Sequence, residues 1–263
     1  MSIAFCYITD GKNDPEIRRL SVASLRRHCG KDVPILVMST PGMYKPLFGE
    51  TLVDVTSAWK WTFGDKHGPD KLSEGSRFPL LLFAKALVPL IPHFSQFDRV
   101  AVMDDDIEVV QPGFREYLED FDLSDDADIG IGRSTHARMR LCPMYRKNVL
   151  PLWPKSDYFN AGVVLNRTTW TSGYVARLRA CFDTCMRERF PYPEEMAFNL
   201  FLRIAPMSEK VCMVPAYETD LGDTSNIGAS PEEMKEALSI HWGGLRKQYE
   251  KPKWAKRYKE DLA

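Results

Sequence analysis

The chain is poor in cysteine and has almost no excess charge, and both properties exclude whole classes of protein. Six cysteines among 263 residues are too few for a disulfide-stabilised scaffold, and no pair has the C-x-x-C spacing of a zinc or redox site. The formal net charge of −1 argues against nucleic-acid binding over the whole surface, because such proteins carry an excess of Lys and Arg. We therefore expect no nucleic-acid partner.

Long apolar runs are also missing. The first apolar stretch already turns polar at Thr9 and Asp10, which makes it too short for a signal peptide or a membrane-spanning helix. This pattern leads us to expect a cytoplasmic protein.

Short apolar strands alternate with amphipathic stretches along most of the chain. Ile3 to Ile8 and Arg99 to Met103 have the composition of buried strands, and Asp14-Pro15 is typical of a helix start. Such alternation predicts an α/β fold, with a mostly parallel central sheet flanked by helices. The chain length fits a single Rossmann-like domain.

Four stretches depart from this alternation. Phe78 to Ile91 is apolar with one charge, Lys85, and predicts a helix packed against the sheet. Trp59 to Arg77 has no clear period and Arg133 to Tyr158 is basic, so we expect both to be functional loops. The basic segment Lys251 to Lys259 also contains Trp254 and Tyr258, and it could cover an edge or touch an anionic surface.

Three acids stand where a buried strand is expected to end. Asp104, Asp105 and Asp106 follow Arg99 to Met103, and ligands of open α/β sheets bind beyond the carboxyl ends of the strands. On an extended backbone Asp104 and Asp106 share one face, while Asp105 points away. An acidic turn would have the same composition, but the preceding strand favours a site where this pair holds a hard cation against a diphosphate.

Three further segments carry polar residues beside small ones or at the ends of elements. They are Asn160-Ala161 before an apolar run, Glu194-Glu195 at an expected helix start, and His241 with Gly244 and Lys247 after a strand. Each also has a structural explanation, namely a turn, favourable charge at a helix dipole and a structural histidine. Each could instead have a chemical role. The His241 imidazole could bind the same cation as the acids, and Gly244 and Lys247 could hold phosphate. A carboxylate of Glu194 or Glu195 could face a reacting sugar carbon.

In combination and in this order, the segments resemble glycosyltransferase family 8, which includes bacterial lipopolysaccharide galactosyltransferases and glycogenin. The resemblance rests on Asp98 to Asp106, Tyr158 to Gly162, Glu194 to Asn199 and His241-x-x-Gly244-x-x-Lys247. A D-x-D motif alone is common, but its combination with F-N-A-G and H-x-x-G-x-x-K is specific.

The resemblance implies a GT-A fold, a UDP-sugar donor, Mn²⁺ with Mg²⁺ as the alternative ion, and transfer with retention of anomeric configuration. Carried over by position, it assigns the metal to Asp104, Asp106 and His241. The residues expected to bind the donor are Asp10, Lys85, Asn160, Ala161, Gly244 and Lys247. We place Asp105 with this donor group and treat Glu194 and Glu195 as the candidate catalytic acids.

The chain departs from the family pattern at three places. The family's D-Q-D motif corresponds to Glu194-Glu195-Met196, so its last acid is missing. Gly11 stands where an aromatic residue commonly stacks on uracil. Gln248-Tyr249 replaces Pro-Trp after Lys247, which leaves Lys251 as the alternative contact to the diphosphate.

These patterns predict a UDP-sugar-dependent hexosyltransferase that moves glucose or galactose to a glycan or lipid-linked acceptor. One alternative is a catalytically silent UDP-sugar or glycan-binding protein, with Met196 as the sign of lost chemistry. The other is a sugar nucleotidyltransferase, which would need a glycine-rich phosphate loop, whereas Thr9 to Asn13 contains one glycine. The two loops, Trp59 to Arg77 and Arg133 to Tyr158, are expected to form the acceptor site.

We divide the chain into a glycosyltransferase domain at 1–250 and a basic, aromatic tail at 251–263. The domain has a nucleotide-binding half at 1–110 and an acceptor-binding half at 111–250. The tail is a candidate for peripheral contact with the inner face of a membrane.

Overall fold

The computed structural model describes residues 2–12, 14–47, 49–72, 79–121, 123, 129–133, 159–170, 172–189, 193–204, 216–218, 237–242 and 246–262. Of the loop predicted from Arg133 to Tyr158, Arg133 ends a strand, and 134–158 lie outside these residues.

The described residues contain nine strands. They are β1 (Ile3–Ile8), β2 (Ile35–Ser39), β3 (Glu50–Asp54), β4 (Arg99–Met103), β5 (Ile107–Val109), β6 (Ile129–Arg133), β7 (Phe159–Arg167), β8 (Ala216–Glu218) and β9 (Ser239–His241). Six of them form a sheet in the order β3-β2-β1-β4-β7-β6. Strands β1 to β4 are mutually parallel, and β7 runs antiparallel to its neighbours β4 and β6. The predicted mostly parallel sheet is confirmed.

A smaller sheet has the order β5-β9-β8. Strand β9 pairs antiparallel with β5 and parallel with β8. It is this sheet that brings the segment around residue 241 next to the segment after β4.

Helices cover both faces of the central sheet. The described helices are α1 (Pro15–Cys29), α2 (Thr56–Phe63), α3 (Phe114–Asp120), α4 (Tyr174–Glu188), α5 (Pro193–Ile204) and α6 (Arg246–Arg257). Helix α1 begins as its sequence predicts, because the Asp14 carboxylate accepts the Glu16 amide N–H and Pro15 occupies the first turn.

The prediction of a single helix from Phe78 to Ile91 is wrong. Its described part forms short 3-10 helices at Leu80–Ala86 and Val88–Leu90, followed by another at Pro92–Gln96. The physical reason is Pro89, whose ring would clash with the carbonyl of Lys85 in a continuous α-helix and which has no N–H to donate.

The loop predicted from Trp59 to Arg77 is also wrong in its first part, because helix α2 runs to Phe63. Trp59 and Phe63 are buried and pack on the Phe182 ring, with centroids 6.1 and 4.3 Å away. Two of the three aromatic residues that suggested a ligand loop therefore belong to the core, whereas Trp61 is exposed.

The core has two layers because alternate residues of each central strand face opposite sides. In β1, Cys6 joins the cluster under α2, α4, α5 and the 3-10 helices, whereas Phe5 and Tyr7 join the cluster under α1 and α3. A third cluster joins α1 to α6 through residues that include Trp242, Trp254 and Tyr258.

Helix α6 continues past residue 250, although the composition suggested that a tail begins at 251. The two aromatic residues of this predicted tail, Trp254 and Tyr258, are buried. Among the residues that the structure describes, no helix combines the length and apolarity needed to cross a membrane.

Candidate functional site

The ends of four elements meet at one edge of the central sheet. Strands β1 and β4 are parallel, so Asp10 and Asp104 follow them at the same edge. Strand β7 runs the opposite way and starts there, and the Asp104 amide N–H donates to the Gly162 carbonyl at 2.8 Å. Pairing of β5 with β9 places His241 opposite Ile107, directly after the acidic triplet. Residues far apart in sequence are thereby brought to one place.

Asp104, Asp106 and His241 form a cluster of potential metal ligands. One ligand atom from each lies within 4.8 Å of the other two. The His241 Nε2 atom is 3.1 Å from Asp106 Oδ1 and 3.7 Å from Asp104 Oδ2. Asp106 and His241 are buried, and Asp104 keeps 28% of its side chain exposed. Two carboxylates and an imidazole around one point suit Mn²⁺, and the exposed side leaves room for a ligand oxygen.

Lys85 is the buried cation beside this cluster. Its ammonium is 2.7 Å from Asp104 Oδ1 and 2.6 Å from Glu194 Oε1, and it donates to the Ala161 carbonyl at 2.7 Å. Burial disfavours the charged form, but the carboxylates of Asp104 and Glu194 outweigh it and raise the pKa of Lys85. The charged form of Lys85 is therefore favoured between the cluster and helix α5.

Glu194 stands in the first turn of α5, as its sequence position predicts. Burial is the main cause that raises the pKa of its carboxyl to about 7; the Lys85 ammonium opposes this shift, and nearby Asp104 adds to it. Because Lys85 contacts both Glu194 and Asp104, the Glu194 carboxylate faces the potential metal ligands. A carboxylate in this position can stabilise positive charge that develops beside the cluster.

Asp105 faces the other way, as predicted, but the backbone there is a turn and not the extended strand that the prediction assumed, because the Ile107 N–H donates to the Asp104 carbonyl at 3.3 Å. Its Oδ1 atom lies 3.9 Å from the guanidinium of buried Arg18. Arg18 also lies 3.3 Å from Glu50 and stacks over the Tyr44 ring at 4.1 Å. The structure thus places Asp105 in a buried charged network under the acidic turn rather than beside Asp106 and His241.

Asp10 lies two residues after β1, and its carboxylate is held by its own loop. It accepts the Lys12 amide N–H at 3.0 Å, and the Lys12 ammonium lies 3.7 Å from its second oxygen. Gly11 follows with φ at 76°, and a Cβ there would lie 2.0 Å from the Met43 carbonyl oxygen. The glycine is required because the loop after β2 passes over this point, where the family pattern has an aromatic residue.

The other predicted site residues differ in how far the structure describes them. Ala161 contributes a carbonyl to Lys85, and Glu195 is buried with its carbonyl accepting from the Asn199 amide at 2.8 Å. Gly244 and the side chains of Asn160 and Lys247 lie outside the described residues. Lys251, the alternative to Lys247, lies 2.6 Å from Asp14 at the start of α1.

Sequence reasoning missed two charged residues that organise the site, Glu108 and Arg18. Glu108 is buried in β5 and accepts hydrogen bonds from Trp242 and from Arg257 in α6. Arg18 is buried in α1 beneath Asp105. The signal for Glu108 was present, since an acid within the apolar run Ile107 to Val110 needs buried partners. Those partners, however, could not be identified before folding.

Comparison with solved structures identifies the fold. No protein-family model matches the sequence, and no curated protein matches it. The galactosyltransferase LgtC, solved with donor and acceptor sugar analogues, superposes with a TM-score of 0.60 at 15% identity, covering 100% of this chain and 95% of that one. Mouse xyloside xylosyltransferase 1 gives a TM-score of 0.61 at 15% identity over 94% and 98% of the two chains.

The bifunctional glycosyltransferase WbbM gives a TM-score of 0.58 at 15% identity, and this chain spans half of its length. All three are glycosyltransferases, and the predicted GT-A architecture is confirmed. Identity at this level establishes the shared fold, and membership of family 8 stays a prediction.

Proposed function

We propose that this protein is a metal-dependent glycosyltransferase that transfers a hexose, glucose or galactose, from a UDP-sugar to a glycan or lipid-linked acceptor with retention of configuration. The observation that carries the proposal is the convergence of Asp104, Asp106 and His241 at the carboxyl end of β4. In open α/β sheets this edge is where nucleotide ligands bind. The fold shared with sugar transferases supports the same reaction class.

The residues fit a divalent cation. Asp104, Asp106 and His241 would hold it, because hard carboxylate oxygens and one imidazole nitrogen are ligands that Mn²⁺ accepts. When bound, the ion would neutralise the diphosphate of the donor as it leaves. Two carboxylates so close together in a partly buried site repel each other, and a cation would relieve that repulsion.

Lys85 supports the site from the protein side. Its ammonium touches Asp104 and Glu194 and so fixes both carboxylates at once. Buried and ion-paired, it holds these groups in place before any substrate arrives, which removes the cost of rearranging them during the reaction.

Glu194 and Glu195 are the candidate catalytic acids. Departure of UDP leaves positive charge on the sugar ring, which a carboxylate can stabilise or attack as a nucleophile. Glu194 has the better support because its carboxylate lies on Lys85 beside the potential metal ligands. We propose Glu194 for charge stabilisation and Glu195 as the second candidate, since it occupies the next position of the same helix turn.

Asp10, at the end of β1, is proposed to contact the nucleotide base, and Asn160 and Ala161 to line the donor sugar. Gly244 and Lys247 are proposed to hold the leaving phosphate. Asp105 is proposed to contribute to donor binding through the turn that it anchors on Arg18.

Donor hydrolysis by the full chain tests the proposal. A panel of UDP-sugars is incubated with and without Mn²⁺, using wild type, Asp106→Asn and, as a matched control, Asp32→Asn. Asp32 is exposed before β2, at the opposite edge of the sheet. We expect Mn²⁺-dependent hydrolysis of one UDP-hexose, its loss in Asp106→Asn and its retention in Asp32→Asn.

Metal-independent hydrolysis, or full activity of Asp106→Asn, would contradict the assignment of the acids. A different result would favour the silent binding protein, namely tight UDP-sugar binding with no turnover on any acceptor. Met196 supports that alternative, because the side chain at the last position of the D-Q-D motif lies in the apolar core and supplies no acid. Anomeric analysis of the product tests retention.

A further inference from the structure

Glu108 is a buried acid with a complete set of partners. Its carboxylate accepts hydrogen bonds from Trp242 Nε1 at 2.8 Å, from Arg257 Nε and Nη2 at 3.0 and 2.9 Å, and from the Tyr258 hydroxyl at 2.9 Å. An ionised carboxylate has about four acceptor sites, so this one has no capacity left for a substrate. Its role is therefore to hold parts of the protein together.

The parts that Glu108 joins are the metal-site strand and the carboxyl-terminal helix. Trp242 directly follows His241, and its backbone N–H donates to the Asp106 carbonyl at 2.9 Å. Arg257 and Tyr258 belong to the other end of the chain, at the end of α6. The Glu108 carboxylate thus connects α6 to Trp242. Trp242 follows the proposed ligand His241 in sequence, and its backbone N–H is bonded to the proposed ligand Asp106.

The connection is stiff because of its surroundings. Glu108 is 1% exposed, and Trp242 and Trp254 pack edge to face with ring centroids 6.1 Å apart. Hydrogen bonds to a charged, buried acceptor are among the stronger ones in proteins. Removing one donor leaves the carboxylate short of a partner, and the segment has to shift to compensate.

We infer that helix α6 is a positioning element of the proposed metal site, and that Arg257 acts on His241 through Glu108 and Trp242. The inference rests on the proposed function for the identity of the site. It predicts that an alteration in α6, which carries none of the proposed ligands, changes how well His241 is held and therefore how well the cation binds. Residues that support metal ligands typically change metal affinity by about 10- to 100-fold when altered.

The test compares Arg257→Ala with Lys256→Ala in the full-length protein. Both variants remove one positive charge from neighbouring, exposed positions of α6. Of these two side chains, the one that bonds Glu108 is that of Arg257. Tyr258→Phe is a second variant, which deletes a hydroxyl donor to the same carboxylate without removing the ring. Mn²⁺ affinity is measured by electron paramagnetic resonance of the free ion, with Asp106→Asn defining binding elsewhere on the protein.

A second readout works without metal. Backbone amide exchange at Trp242 reports the hydrogen bond to Asp106, and it is measured in chelator at a temperature where every variant is folded. For Arg257→Ala we expect faster exchange at Trp242 and Mn²⁺ affinity lowered by about tenfold, the lower end of the usual range because the contact is indirect. Lys256→Ala should match wild type in both.

Equal exchange at Trp242 in Arg257→Ala and Lys256→Ala would overturn the inference, whatever the metal does. Accelerated exchange with unchanged Mn²⁺ affinity would also overturn it, since His241 would then not depend on α6 for binding. If wild type binds Mn²⁺ no better than Asp106→Asn does, the proposed metal site fails. Faster exchange in Arg257→Ala would in that case still uphold the mechanical link from α6 to the strand that carries His241.

Discussion

Replacing Lys85 by Met removes one buried charge and keeps most of the side-chain volume. Lys85 is 1% exposed and bonds Asp104, Glu194 and the Ala161 carbonyl. After the substitution, two carboxyl groups share a partly buried space with no cation between them, and a carbonyl loses its donor. We therefore expect a large loss of stability in the metal-free protein, although Met itself is well suited to an apolar site.

The magnitude follows from the cost of breaking a buried ion pair, which is about 3–5 kcal/mol. Domains are stabilised by about 5–15 kcal/mol in total, so this loss is a substantial fraction. At about 2–4 °C per kcal/mol for a chain of this size, the melting temperature should fall by about 10 °C. Part of the loss is the cost of keeping the Asp104 and Glu194 carboxyl groups together without a cation, as repulsion when both are ionised and as protonation of Glu194 otherwise. Adding Glu194→Gln to Lys85→Met should therefore cost less than the two single losses combined, by about 1–3 kcal/mol.

Urea denaturation in chelator measures these changes for the two single variants and the double variant. Lys60→Met is the matched control, because Lys60 is a helical lysine whose ion pair with Asp65 is exposed at the surface. Its unfolding should be indistinguishable from that of wild type. A loss below about 1 kcal/mol for Lys85→Met, or strict additivity with Glu194→Gln, would refute the view that Lys85 stabilises the carboxyl groups of Asp104 and Glu194 together.

Three further predictions concern metal, pH and backbone. At about 100 times its dissociation constant, Mn²⁺ should stabilise wild type by about 2.7 kcal/mol, and His241→Ala should lose most of this gain in a melting assay; an equal gain would exclude His241 as a ligand. In chelator, the folded-state pKa of Glu194, about 7 against an ordinary 4.5, predicts stability that is full below pH 4.5 and declines as the pH rises through about 7. Glu194→Gln should flatten that decline in urea titrations, and an unchanged slope would exclude Glu194 as its source. Gly11→Ala should destabilise more than Gly64→Ala: both glycines have positive φ, but only at Gly11 does the new Cβ meet a carbonyl, that of Met43 at 2.0 Å; equal melting temperatures would contradict the close approach.

Much of the site could be predicted because its residues stand at the ends of recognisable elements. The apolar run before Asp104 marks a buried strand, and Pro193 marks the start of the helix that carries Glu194. The spacing of the acids also separated Asp105 from the pair Asp104 and Asp106, and the structure places Asp105 near Arg18, although a turn and not an extended strand produces the separation. Local pattern suffices in these cases because strand period and helix capping depend on neighbouring residues.

Local sequence pattern gave wrong predictions where a steric clash or a contact with a distant residue determined the structure. The helix expected from Phe78 to Ile91 gave way to 3-10 turns, because Pro89 forbids a continuous α-helix. The aromatic residues of α2 suggested a binding loop, yet Trp59 and Phe63 pack on Phe182, more than a hundred positions along the chain. Side chains with the same composition can line a ligand or fill a core, and only packing decides between them.

By itself the sequence determined the alternation of strands and helices and the placement of acids, glycine and histidine at their ends, because these depend on periodicity and backbone chemistry. The tertiary structure alone decided that His241 meets Asp106 at 3.1 Å, that Lys85 joins Asp104 to Glu194, and that α6 closes on Glu108. Apart from the contact of Lys85 with Asp104, these contacts join residues 109 to 149 positions apart. These contacts form only when the whole chain has folded, because they depend on the order of the strands and on which charged groups become buried.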